Sequence, residues 1–117
     1  MKNVAVEVKG DIIFFICDGP YSKEFIIELM LFIKKTLDEN NLKKAIVDGT
    51  AITGNIPDLE RFELGKLFAA NLSRYRIGML MEAKKINKLA ENTAVNRGGD
   101  ILISGDREAI IRWLEKK

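Results

Sequence analysis

Residues 44–72 read KAIVDGTAITGNIPDLERFELGKLFAANL, and this stretch decides the fold. Lys44 to Asp48 has strand character and runs into a Gly/Thr/Asn segment from Gly49 to Ile56, expected to be a loop. Pro57 suits the first turn of a helix that reaches about Asn71. Asp58 and Glu60 lie near that helix start, where the dipole favours negative charge. Strand, short loop and helix in this order form half of a βαβ unit.

The pattern repeats on both sides. Upstream, Val4, Val6 and Val8 alternate with more polar residues, Lys9-Gly10 marks a tight turn, and IIFFIC at 12–17 reads as a central strand buried on both faces. Asp18-Gly19-Pro20 is expected to end that strand, and Ser22 to cap a helix reaching about Glu39. Its helical period buries Phe25, Ile26, Leu29, Met30, Phe32, Ile33 and Leu37 and turns Ile27 and Leu31 outward. Downstream come a strand from Arg76 to Met81, a helix from Ile86 to Arg97 stopped by Gly98-Gly99, and a strand from Asp100 to Ser104. A last helix follows, capped by Asp106, with Ala109, Ile110, Trp113 and Leu114 on its inner face. The order ββαβαβαβα predicts one α/β domain over residues 1–117. Its five-stranded sheet is mostly parallel, with an antiparallel N-terminal edge strand and right-handed crossovers.

Composition narrows the chemistry. The 117 residues contain no histidine, which removes Ser-His-Asp and Cys-His triads, histidine general bases and histidine-ligated zinc. No Asp/Glu spacing suggests a metal cage or a paired acid and base, so neither catalysis nor a cofactor is expected. Nineteen basic residues against 17 acidic ones leave a net charge of +2, too balanced for a nucleic-acid surface. The single cysteine, Cys17, makes no internal disulfide and reads as a small buried hydrophobe. The apolar run Phe25 to Ile33 is broken by Glu28 and too short to span a bilayer, and the N-terminus opens directly into a strand pattern. The expected location is therefore the cytoplasm.

The candidate binding residues are Asp48, Thr50, Thr53, Gly54, Asn55, Asp58 and Arg61, at the carboxyl end of a parallel strand and the start of a helix. Ligands of open α/β sheets usually sit at such places. The segment is not a P-loop, because no Gly-Lys-Ser/Thr follows its glycines. Arg61 shares the inner side of its helix with Leu64, Gly65 and Phe68. It either anchors the loop, with Asp48 and Asp18 as candidate partners, or faces a ligand. Gly65 is expected to let the helix approach the sheet. Asn96, Arg97 and Gly98 suit a helix stop, with Arg97 on the inner face, and Trp113 suits a lid on the core. The third helix has a thin apolar face of Ala and Thr and should be the least firmly docked. Ile27 and Leu31, together with Leu59 and Leu67 on the second helix, form outward apolar stripes suited to a protein partner or homodimer.

The run AIVDGTAITG, then DLERFELGKLF, then ENTAVNRGGDILISGDREAIIRWL, resembles the STAS-like family, in particular its SpoIIAA-like, anti-sigma-factor-antagonist-like branch. The resemblance implies a non-enzymatic module that binds a partner protein or itself. By analogy with the lipid-binding domains that share the fold, a small apolar ligand or lipid is the alternative. It also implies a phosphorylated Ser or Thr before the second helix, but Thr53-Gly54-Asn55 lacks the Asp-Ser-Ser/Thr-Gly run of that branch.

Overall fold

The computed structural model describes residues 1–116. Strands β1 (Val4–Lys9) and β2 (Ile12–Pro20) precede helix α1 (Lys23–Glu39), strand β3 (Lys44–Thr53) and helix α2 (Asp58–Leu72). Strand β4 (Arg76–Leu80), a 3-10 turn (Ala83–Lys85), helix α3 (Leu89–Asn96), strand β5 (Asp100–Ser104) and helix α4 (Arg107–Glu115) complete the chain. The strands lie in the order β1-β2-β3-β4-β5; β1 is antiparallel to β2 and all other pairs are parallel, the mostly parallel sheet with an antiparallel edge strand that the sequence pattern predicts.

A sheet in sequential order with right-handed crossovers must carry all its crossover helices on one face. Helices α1, α2 and α3 accordingly share a core with Ile13, Phe15, Cys17, Val47 and Ile77. Helix α4 returns along the opposite face and packs over β4 and β5, with Ile110 and Leu114 fully buried against Ile46 and Leu80. Gly78 makes room for it, since a Cβ there would stand 2.2 Å from Ile110 Cγ2. This one-sided winding corrects the reading of β2 as buried on both faces. Ile13, Phe15 and Cys17 are buried, but Ile16 on the other side is 40% exposed because α4 covers only the distant strands.

Two strands also run further than their sequence suggests. β2 continues through Asp18-Gly19-Pro20, and β3 through the Gly/Thr segment to Thr53, so that Asp18, Gly19 and Pro20 pair with Ala51, Ile52 and Thr53. Pro20 is tolerated at the end of the ladder, where its missing N–H leaves no central bond unmade. Between Asp48 and Ala51, β3 holds one residue more than β2 does between Ile16 and Asp18, a β-bulge. The bulge reverses the alternation, so Ile52 turns into the helix-side core while Thr53 is exposed.

The helix ends follow local chemistry. Ser22 accepts the Phe25 N–H at 3.1 Å, and Asp106 accepts from the N–H groups of Glu108 and Ala109. Pro57 stands as the N-cap of α2, in extended conformation, one position before the helix begins. The third helix is shorter than its pattern suggests. Ala83–Lys85 form a separate turn, and Lys88, in the left-handed region at φ 65°, starts α3.

Candidate functional site

A cavity of about 90 Å³ lies between the three-helix layer and the sheet. Ile26, Leu29, Met30 and Ile33 of α1 form one wall, and Leu64, Gly65, Phe68 and Leu72 of α2 another. Ala90 and Ala94 of α3 close it, over Val47, Ile77, Met79, Ile101 and Ile103 of the sheet. Its origin is the set of small residues on facing helices. A Cβ on Gly65 would stand 2.6 Å from the Ala90 carbonyl oxygen and 2.8 Å from Thr93 Cβ. Gly65 therefore brings α2 against α3, not against the sheet as its helix face suggested. The two helices meet backbone to backbone, and the short side chains of Ala90 and Ala94 leave the space beneath unfilled.

Arg61 is the one charged residue lining this cavity, and it also lines an adjoining pocket of about 20 Å³ with Tyr21, Asn55, Ile56 and Lys85. Its side chain is only 12% exposed. Neither Asp48 nor Asp18 is its hydrogen-bond partner. Nε donates to the Ile56 carbonyl at 3.0 Å and Nη2 to the Lys85 carbonyl at 2.9 Å, tying the β3–α2 turn to the β4–α3 connection. Asp58 approaches only to 3.9 Å and instead accepts from Asn87 Nδ2 at 2.8 Å. Lys85 Nζ reaches the Ile52 carbonyl at 3.2 Å. Tyr21 donates to Glu60 at 2.7 Å, and burial, with the carboxylate beside it, raises its phenol well above the usual range.

The other predicted site residues divide between the two faces of the sheet. Asp48 lies at the level of Ile16 and Leu80, accepts from the Thr50 amide and hydroxyl at 3.0 and 2.7 Å, and pairs with Arg107 of α4 at 3.0 Å. Asp48 and Thr50 thus form a cluster of their own with α4, away from Arg61. Gly54, at φ 92°, and Asn55 lead the chain from β3 toward α2 and line the smaller pocket.

The remaining candidates are placed as follows. Leu31 and Leu59 are 54% and 69% exposed, while Ile27 and Leu67 are half-buried and pack on the helix-side core, which thins the outward stripes. Arg97 is exposed and lies 5.4 Å from the Phe62 ring centroid, outside the core where its helical period had put it. Asn96 ends α3, and Gly98, at φ 89°, turns the chain so that the Gly99 N–H reaches the Ala94 carbonyl at 2.8 Å. Trp113 is half-buried under the Arg76 guanidinium, 3.8 Å from its ring centroid. Cys17 is 1% exposed, and its thiol is raised to about 11 by burial, then by Asp48 and Asp18. The sequence reading missed Lys85 and Tyr21. Its available signal for the cavity was the coincidence of Gly65, Ala90 and Ala94 on inward helix faces.

Comparison with known proteins bears on the frame that holds this cavity. No protein-family model matches the chain, and no curated protein matches it significantly. Among solved structures, it is similar to an uncharacterised protein of the DUF3478 family with a SpoIIAA-like fold from Shewanella loihica PV-4. The TM-score is 0.51 and the identity 16%, over 95% of this chain and 91% of that one. The chain has the SpoIIAA-like fold. Within that fold, β3 and α2 carry the segment before the second helix, and the cavity lies under α2 and α3. No helix among the described residues is long and apolar enough to cross a membrane.

Proposed function

We propose that this SpoIIAA-like domain is a non-enzymatic binding module whose ligand is a small apolar molecule held between the three-helix layer and the sheet. The observation that carries the reading is the apolar cavity of about 90 Å³ between the three-helix layer and the sheet. Protein interiors are packed like organic crystals, so an apolar space of this size between helices and sheet is room that a ligand can fill. In another protein, an apolar cavity of roughly 150 Å³ stays dry and takes up benzene. The present cavity is smaller, so it suits a slimmer ligand such as a short alkyl chain, around which the thioethers of Met30 and Met79 can repack. The test is native mass spectrometry of the gently purified protein, combined with thermal melting in 1-hexanol and benzene. A retained small molecule, or a rise of several degrees in Tm, is the expected result. No adduct and no shift with any apolar probe would refute the reading.

An interaction module, acting through a protein partner or a second copy, is the second reading. It rests on the exposure of Leu31 and Leu59. Sedimentation of the wild type against Leu31→Glu and Leu59→Glu decides it: a wild type that stays monomeric at high concentration and captures no partner removes this reading.

A further inference from the structure

We infer that the ligand of the cavity is an apolar anion, a short-chain carboxylate, whose head is received between Arg61 and Lys85 in the small adjoining pocket. The inference rests on the cavity reading above and adds the chemistry of the head.

It follows from a comparison of the buried cations. Among the ion-paired cations of the described residues, three side chains are less than a quarter exposed: Arg61, Arg76 and Lys85, at 12, 20 and 21%. Arg76 is neutralised conventionally, with Nη1 on both Asp100 oxygens at 2.8 and 3.0 Å. Arg61 and Lys85 are not. Their hydrogen bonds run to the neutral carbonyls of Ile56, Lys85 and Ile52. Their nearest carboxylates, Asp58 and Glu82, stand at 3.9 and 3.8 Å and are 76 and 43% exposed. Glu60, the other acid beside the pocket, is engaged by the Tyr21 hydroxyl. Two cations therefore share one partly desolvated place with carboxylates only at 3.8–3.9 Å, outside hydrogen-bond distance and open to solvent, so a charge-assisted acceptor in direct contact would complete their pairing.

Geometry decides what that is. Arg61 lines both spaces, so an anion beside it continues directly into the apolar cavity. Its Nη1 donates no hydrogen bond among the described residues, which leaves a charge-assisted donor available beside Lys85 Nζ. The outer space, about 20 Å³, holds little more than one water and matches a small head such as a carboxylate. The inner space, about 90 Å³, matches a tail of about four to six carbons, well short of a membrane lipid's acyl chains.

The experiment compares ligands that share a tail and differ in the head. The wild-type protein is titrated calorimetrically at pH 7 and low salt with hexanoate, 1-hexanol and hexylamine. Hexanoate should bind at least tenfold more tightly than hexanol, hexylamine should bind more weakly than either, and added salt should narrow the gap between hexanoate and hexanol. Lys85→Met and Arg61→Met should each bring the hexanoate-to-hexanol ratio within threefold. Arg61 also anchors two connections, so Lys85→Met carries the test if Arg61→Met does not fold. Hexanol binding as well as hexanoate overturns this inference and leaves the cavity reading standing. Failure of all three ligands to bind overturns both.

Discussion

Filling the cavity should stabilise the empty protein and abolish ligand binding in the same variant. Ala94 is the site of choice, because it lines the cavity from α3 and is 1% exposed. Ala94→Val adds the equivalent of two methylenes to a space that already exists. At about 0.8 kcal/mol each, their burial is worth about 1.6 kcal/mol. The β-branched side chain loses roughly 0.6 kcal/mol of helix propensity in exchange. The net gain is about 1 kcal/mol, or a Tm higher by about 4 °C in a chain of this length. Urea denaturation at pH 7 gives the free energy, provided the slope is unchanged, and melts with and without 1-hexanol give the ligand response. The variant should melt higher than the wild type when empty and should not respond to hexanol. A variant destabilised by 1 kcal/mol or more, with the wild-type hexanol response intact, would show that no usable space lies beneath α3.

Three further outcomes follow from the packing. Gly65→Ala should destabilise the domain by about 1–3 kcal/mol, since its Cβ would meet the Ala90 carbonyl, and amide exchange should quicken across α3 before the sheet. Gly78→Ala should cost a similar 1–3 kcal/mol by pressing on Ile110, but it lies on the α4 side, so hexanol affinity of the folded protein should stay at the wild-type value. The Cys17 thiol, ordinarily near 9 and raised to about 11 by burial, favours the native state only while it is protonated in both states. As pH rises from about 9 to about 11, the unfolded chain ionises first and native stability falls, so the urea midpoint of the wild type should drop over that window more steeply than that of Cys17→Ala.

The sequence carried the topology well because it is written in strong local signals. Strand β1, the Ser22 and Asp106 caps, and the Gly98-Gly99 stop all stand where the pattern placed them, but the alternation of Val4, Val6 and Val8 does not mark a buried face, since Val6 and Val8 are 41 and 51% exposed on the edge strand. Strand extents were harder. Gly49 to Thr53 has the composition of a loop, yet it is held in the sheet by pairing with residues 33 positions earlier (Asp18↔Ala51 to Pro20↔Thr53) and by a bulge that composition does not encode. The exposure of Ile16 depends on how far α4 reaches across the sheet, a tertiary fact. Arg61 was located on the inner side of its helix from period alone. Its partners were not legible, because they are backbone carbonyls, one of them 24 residues further along, and carbonyls leave no mark in a sequence.

The two faces of the sheet spend their small residues differently, and this difference decides where a ligand has room. On the α4 side, Gly78 is answered by Ile110, so the space that the glycine opens is filled by a side chain. On the other side, Gly65 is answered by the backbone of α3, so the glycine is used to join two helices, and the volume beneath them is left to Ala90 and Ala94. The size of the cavity is then set by the α2–α3 contact and not by the sheet. Arg61 fastens that same region from the side, since its guanidinium links the Ile56 carbonyl to the Lys85 carbonyl across the mouth. Two hydrogen bonds from a charged donor are worth about 1.5–3 kcal/mol each, so deleting Arg61 removes both a charge and a strut. Deleting the Lys85 ammonium removes a charge and its single bond to the Ile52 carbonyl, while the Lys85 backbone carbonyl still receives Arg61. A loss of anion preference in Lys85→Met with hexanol affinity unchanged therefore reports electrostatics, whereas the same loss in Arg61→Met alone does not separate the charge from the strut.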